Sequence, residues 1–201
     1  MKINLRNAQK ELSRNRILDV AAKAIHRDGY AGVGVADVMS RAGLTHGGFY
    51  AHFKSREMML TQALKRAGEM SASVLASSIA DGRARGHSVL TALVESYLSD
   101  KNLASLEVGC PVAAVASEMP RQVDLLREAS CHRVQNLLAM VEGALPSGGA
   151  AEAAVIASTM VGALQLARTL GNNAAGKAHL AAVRKALIAQ YDIAPASKAR
   201  R

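Results

Sequence analysis

The sequence predicts an all-α protein built from two helical parts, and three observations carry that prediction. Ala, Leu, Met, Arg and Glu recur at helical spacing while β-branched and aromatic alternation is rare, so strand signals are almost absent. Serine, threonine and proline stand where helices begin, and glycine-containing turns stand where they stop. Half of the 201 residues are apolar, enough to bury one compact core and a smaller second one without disulfide or metal staples.

The elements follow in order. From about Ala8, the residues Ile17, Leu18, Ala21, Ala22 and Ile25 make one apolar helix face, and Gly29 after Asp28 supplies a left-handed stop. A glycine-spaced link over 30–34 leads to a short helix from Val35 to Arg41, with Gly34 as an acceptable N-cap. After Ala42-Gly43-Leu44 comes another short helix, opened by Thr45 as N-cap and running to about Ala51. Two short helices around a three-residue turn containing Gly form a helix-turn-helix pattern, with Val38, Leu44, Phe49 and Phe53 as its small core. Ser55 caps a long helix running to the Asp81-Gly82 break, with Glu57 in its first turn favoured by the helix dipole. Residues 88–101 read as one helix, and Pro111 and Pro120 open helices near 111–118 and 120–144. A Pro146-Ser147-Gly148-Gly149 turn precedes a pair of helices over 150–170 and 175–191, joined by Gly171-Asn172-Asn173, and the tail from Pro195 is expected to fray. The domain division expected is 1–54, then 55–194 with 55–81 as connecting helix, then a tail over 195–201.

Charge is distributed unevenly along this framework. Residues 1–66 hold 12 Lys/Arg against 5 Asp/Glu, a net of +7, whereas 67–201 hold 13 against 11, a net of +2. A basic block on a nearly neutral body is the footprint of a module that neutralises phosphates, although basic composition also fits a membrane surface or any polyanion. Two cysteines, Cys110 and Cys131, are too few for a disulfide scaffold, and no charged-then-apolar signal segment opens the chain, which reads as cytoplasmic. The most apolar stretch, 150–170, carries Glu152, Gln165 and Arg168 and suits a packed helix better than lipid.

The residues from Arg16 through Leu60 sharpen this reading. Ile17-Leu18-Asp19-Val20-Ala21-Ala22 precedes Asp28-Gly29-Tyr30; then come Val35-Ala36-Asp37-Val38, Ala42-Gly43-Leu44-Thr45, Gly47, Phe49-Tyr50-Ala51-His52-Phe53 and Lys54-Ser55-Arg56-Glu57. In that order and at that spacing the series resembles the TetR family of transcription regulators over about a quarter of the chain. Cys110-Pro111-Val112-Ala113-Ala114 ahead of Glu118 is similar to one branch of the same family.

The resemblance implies an N-terminal helix-turn-helix that binds double-stranded operator DNA as a homodimer. It also implies a C-terminal helical domain that binds a small apolar or amphipathic effector and dimerises. Carried over position by position, Thr45, His46, Gly47, Gly48, Tyr50 and His52 lie on or beside the groove-facing surface, and Lys54 stands at the entry to the next helix. Thr45, Tyr50, His52 and Lys54 suit phosphate oxygens, and His46 suits a base edge. Two positions depart from the common family pattern: His46 stands where Lys is frequent, and Gly48 stands where Thr often reads a base. Gly48 either admits close backbone approach to DNA or loosens its helix.

For the C-terminal part, Leu90, Leu93, Val94, Val112, Val115, Leu126 and Leu138 are candidate pocket or core residues. Ala154, Ala157, Ser158 and Gly162, with Leu180, Val183 and Leu187, suit dimerisation through the helices near 150–170 and 175–191. The mechanism implied is repression by operator occupancy, relieved by effector, while an activator would share the same fold and sequence signals; no cofactor, metal, membrane or catalytic role is expected. The competing reading is a helical enzyme or carrier with Cys110 as nucleophile, for which the sequence identifies no base. The spacing of Cys110, Cys131 and His132 matches no zinc pattern, and the 29–34 glycine run, between helices, reads as a hinge.

Overall fold

The computed structural model describes residues 2–146 and 149–192, and among them every regular element is helical, as expected. In order they are α1 Lys2–Gly32, α2 Val35–Arg41, a 3-10 segment His46–Ala51, α3 Arg56–Ala84, α4 Val89–Tyr97, α5 Asp100–Ala104, α6 Pro111–Val115, a 3-10 turn Met119–Arg121, α7 Asp124–Ala144, α8 Ala150–Leu170 and α9 Ala174–Tyr191. The expected turn over 146–149 lies partly, and the frayed tail wholly, outside the described residues. Two compact units result: Met1–Ser71 with Leu106–Arg133, and Ala72–Ser105 with Val134–Arg201. The division falls inside α3 and α7, so the first unit takes in 55–71 and 106–133 besides the helix-turn-helix stretch.

In the first unit Ile17, Ala21 and Ile25 of α1, Val38 and Met39 of α2, Phe49, Phe53, and Met59, Leu60 and Leu64 of α3 are all essentially inaccessible. Each large apolar side chain buried this way contributes roughly 1.5–3 kcal/mol, so this set dominates every polar contact nearby. Leu18 and Leu44, expected in the core, are only half-buried: Leu18 flanks the inward stripe of α1, and Leu44 lies in the turn, outside the inward face of either helix. α1 begins at Lys2 rather than near Ala8, because nothing over 2–7 breaks a helix. The first helical run does break at Gly29 with positive φ (φ 68°, ψ 178°), as expected, and residues 30–32 add one further turn beyond the kink. Glu118 makes that turn possible by accepting from the N–H groups of Tyr30 (3.0 Å) and Ala31 (3.3 Å), the task of an N-cap side chain. The buried Tyr30 hydroxyl reaches Ser130 Oγ at 3.2 Å, while Ser130 Oγ donates to the Leu126 carbonyl at 2.8 Å, so Tyr30 is the donor of the pair. Burial, with the Glu118 charge in the same sense, pushes the Tyr30 phenol up to about 12.

Four further boundaries differ from the sequence reading. Gly82 does not end α3, which continues to Ala84; a Cβ there would lie 2.6 Å from Ala92 Cβ, so the glycine serves the close approach of α4. Residues 88–101 are two helices, because Ser99 caps a second one by accepting from the Asn102 N–H at 3.1 Å. The 111–118 helix ends at Val115, and the stretch from 120 divides into the 3-10 turn and α7 around extended Gln122.

The second unit is centred on α8 packed against α9, with α4 and α5 also on α9. Asn173 caps α9 by accepting from Ala175 and Gly176 N–H, and Arg184 donates to the Leu98 carbonyl at 2.9 Å. By length and composition α8 passes for a membrane-crossing helix. Its inner face, Ala153, Ile156, Ala157, Met160, Ala163, Leu164 and Ala167, is buried, while Val155 (51% exposed), Leu166 (59%) and Leu170 (49%) face outward. Ala154 and Ser158 are also exposed; Gly162 and Val183 are half-buried, and Leu180 and Leu187 are core. Of the candidate pocket residues, Leu90, Leu93, Val94, Val112, Val115 and Leu126 are buried core, and Leu138 is half-buried.

Gly29→Ala would place a Cβ against the Glu118 carboxylate and hold a side chain in a backbone region open only to glycine. Urea unfolding should show a loss of about 1–3 kcal/mol. Gly34→Ser, at φ −89° with open space around it, should instead gain a few tenths of a kcal/mol through a proper cap.

Candidate nucleic-acid interface

The turn after α2 is closed by backbone bonds, Gly43 N–H to Ser40 O and Leu44 N–H to Met39 O, both 2.9 Å. It delivers the chain to Thr45 in extended conformation. Thr45 stands at the N-cap position as expected, but its side chain accepts no capping hydrogen bond. The segment that follows has the expected bounds and is 3-10 rather than α, as two adjacent glycines, Gly47 and Gly48, weaken the α-helix.

With about three residues per turn, the short segment separates its sides sharply. Phe49 is 2% exposed and stacks on Phe53, ring centroids 5.7 Å apart, whereas the next residue, Tyr50, is 73% exposed and touches Phe49 edge-on at 5.3 Å. Thr45, His46, Gly47 and Lys54 are exposed with Tyr50; Gly48 and His52 are half-buried. All seven residues singled out from sequence thus occupy one ten-residue stretch over a buried aromatic pair. Neither glycine adopts a positive φ. A Cβ at Gly47 would meet nothing, and one at Gly48 would make ordinary contact with Thr45 Oγ1 (3.6 Å) and Met39 Cε (3.7 Å).

One arginine holds this stretch and another ties the preceding link to α3, and sequence reasoning missed both. Arg14 of α1 lies over the Phe53 ring at 4.5 Å, donates to the His52 carbonyl and reaches Gln62 Oε1 at 2.5 Å. Arg56 donates to the Val33 carbonyl at 2.9 Å and to the Tyr30 carbonyl, fixing the link between α1 and α2 to the start of α3. Guanidinium suits this work because its planar fork serves two acceptors at once and stacks on a ring. The only advance signal was charge, which in a basic stretch reads as phosphate binding. Ser55 does cap α3, accepting from the Met58 N–H at 3.1 Å.

Other cations of the basic block are also occupied: Arg27 by Asp28 and Glu107, Arg41 by Asp37, Lys65 by Glu69, and Arg66 by Asp19. Exposed pairs like these contribute little stability, about 0–1 kcal/mol each, but they cancel charge. Among the described side chains, Arg6, Lys10, Arg16, Lys23 and Lys54 remain without an ion-pair or hydrogen-bond partner. His52 is not a ready cation either: burial, then the charges of Lys10 and Arg14, hold its imidazole below the ordinary range against the opposing pull of Glu11. Its Nδ1 is buried without a partner. Cys110, the nucleophile of the competing reading, is buried at the N-cap of α6, and Cys131 is exposed.

A family model described as bacterial regulatory proteins, tetR family, matches residues 17–63. A helix-turn-helix-type transcriptional regulator of Mycobacterium tuberculosis, matched alike in strains CDC 1551 and H37Rv, is 31% identical over 167 residues, covering 77% of this chain and 84% of the relative. Among solved structures, a TetR transcriptional regulator from Chloroflexus aurantiacus J-10-FL has a TM-score of 0.72 at 24% identity, covering 92% of this chain and 98% of that one. One from Legionella pneumophila has a TM-score of 0.71 at 22% identity, covering 88% and 95% respectively. At these identities the two structures show the shared fold.

The lowered His52 pKa has a stability consequence whose sign is fixed. The unfolded chain, with an ordinary imidazole near 6.5, binds more protons than the folded one around that pH, so the neutral His52 favours folding above it and that advantage is lost as pH falls. Between about pH 7.5 and 5.5, wild type should lose stability relative to His52→Gln, read as converging or crossing urea midpoints. Parallel curves would show that His52 titrates alike in both states.

Proposed function

Because the chain belongs to the TetR family of DNA-binding transcriptional regulators, we propose that it is a cytoplasmic repressor. In this reading a homodimer occupies a palindromic operator and is released by a small apolar or amphipathic molecule. The observation that carries the DNA contact is the division of the 46–51 segment, buried through Phe49 and open through its polar side. The segment enters the major groove; His46 reads a base edge, and Thr45, Tyr50, His52 and Lys54 hold phosphates. Neutral His52 serves as an N–H donor rather than as a charge. Gly47 and Gly48 are not required by the protein's own packing, which has room for a methyl group at both. In this reading their missing side chains admit close backbone approach to the DNA, besides releasing the segment from α-helical geometry.

A short segment reads few bases, so one half-site discriminates weakly and pairing by a dyad supplies the rest. The outward face of α8 supports such pairing. Val155, Ser158, Gly162, Leu166 and Leu170 form a stripe of apolar and small residues that the single chain leaves wholly or partly open, and a partner helix would cover it closely. α3 and α7, each belonging to both units, are the elements through which effector binding shifts the reading segments. The effector acts only through its different affinity for the two states, so it binds less tightly when DNA is bound.

Selection of tight binders from random duplex DNA near physiological salt should enrich an inverted repeat; a folded protein that enriches nothing overturns the operator reading. On the selected duplex, Lys54→Ala should weaken binding to every sequence alike and flatten the log–log salt slope by about 0.9 for each lost phosphate contact. His46→Ala should relax preference at one position per half-site, and unaltered preference would remove His46 from base readout.

A further inference from the structure

We propose that the N-terminal turns of α1 form a second DNA contact, an arm on which Arg6 and Lys10 bind backbone phosphates beside the reading segment. This rests on the major-groove reading of residues 46–51 and extends it to a stretch that the family model, beginning at residue 17, does not include.

The geometry starts from Arg14. Its guanidinium lies on Phe53 and donates to the His52 carbonyl, which fixes one face of α1 against the C-terminal end of the reading segment. Lys10 and Arg6 follow at four-residue steps on that same face, about 6 Å and 12 Å further along the helix axis. In the opposite direction this face continues into Ile17 and Ala21, both fully buried. The face that packs into the core thus runs out beyond it, and where the core ends its residues become basic.

Every residue from Leu5 to Leu12 is exposed, so among the described residues these turns bury no face of their own. They stay helical, with Lys2 continuing the four-residue spacing in the sequence. Arg6 and Lys10 have no ion-pair or hydrogen-bond partner among the described residues, unlike Arg14, Arg27, Arg41, Arg56, Lys65 and Arg66, whose charges are used within the protein. Residues 2–16 hold five basic residues against one acidic residue, Glu11. The charge of Lys10 and, in the opposing sense, that of Glu11 are both felt at His52, so this part of α1 lies near the proposed interface.

Leu5 (66% exposed) and Leu12 (60%) lie with Arg16 on the other side of the helix, at about 100° per residue. That arrangement would also suit an anionic membrane. The DNA assignment is favoured because the basic ridge is continuous with the Arg14 clamp, whereas the leucine side faces away from it.

The test uses the full chain, a fluorescent random-sequence duplex several helical turns long, and anisotropy over a range of salt concentrations. R6Q/K10Q should keep the wild-type circular dichroism and urea midpoint, and should flatten the log–log salt slope by about 1.8 for each protomer engaged. R6K/K10R should retain the wild-type slope, since charge alone is required. A steep wild-type slope that R6Q/K10Q leaves unchanged overturns the arm while sparing the reading segment. A wild type with no salt-dependent binding overturns both. The same variants are offered phosphatidylserine vesicles: loss of vesicle binding by R6Q/K10Q with an intact DNA slope assigns the arm to a membrane and rejects the proposal.

Discussion

Phe53 is the point at which the N-terminal unit is tied together. One face of its ring stacks on Phe49 and the Arg14 guanidinium lies 4.5 Å from its centre, so α1, the 46–51 segment and the approach to α3 meet in one buried place. The two rings supply most of the free energy, several kcal/mol together by burial alone, at roughly 1.5–3 kcal/mol for a phenylalanine. The cation–π contact adds about 0.5–2 kcal/mol; its larger contribution is orientation, because the same guanidinium holds the His52 carbonyl. A six-residue 3-10 segment containing two glycines would not be stable alone. It is stable here because Phe49 anchors it from below, leaving Thr45, His46 and Tyr50 free to face outward.

This arrangement makes positive charge a divided resource. A basic stretch would appear to be devoted wholly to nucleic acid, yet Arg14 and Arg56 serve the protein's own carbonyls and several others are neutralised by neighbouring carboxylates. Among the described side chains Arg6, Lys10, Arg16, Lys23 and Lys54 keep no such partner, and the proposed phosphate contacts draw on three of them: Lys54 beside the 46–51 segment, and Lys10 and Arg6 along α1. In DNA binding, net charge sets the long-range attraction, while only the cations that reach a phosphate release counterions and set the salt dependence.

The second constraint on the N-terminal unit is the kink at Gly29. A backbone conformation open only to glycine and the Glu118 carboxylate together redirect the end of α1, and Tyr30, anchored on Ser130, keeps the redirected turn buried. The carboxylate arrives from a part of the chain nearly ninety residues away. A side chain that serves as an N-cap from such a distance carries no local signature.

Much of the fold was legible in the sequence because its determinants are local. Helical periodicity identified α2 to the residue and α8 and α9 almost so, Ser55 announced the start of α3, and the spacing of Phe49 and Phe53 placed the aromatic core. The candidate contact residues were legible for the same reason, since they occupy one short stretch. The errors arose where a residue has two uses and only distant contacts choose between them. Gly82 serves the packing of α4 rather than a helix end, Ser99 divides an otherwise continuous helix, and Arg14, unmarked within a generally basic stretch, holds Phe53 and the His52 carbonyl. Periodicity, capping and turn chemistry act over a few residues and are written in the chain. Which charges are already paired, which glycines face a neighbour and which apolar faces remain uncovered depend on groups brought together from far apart, and only the tertiary structure decides them.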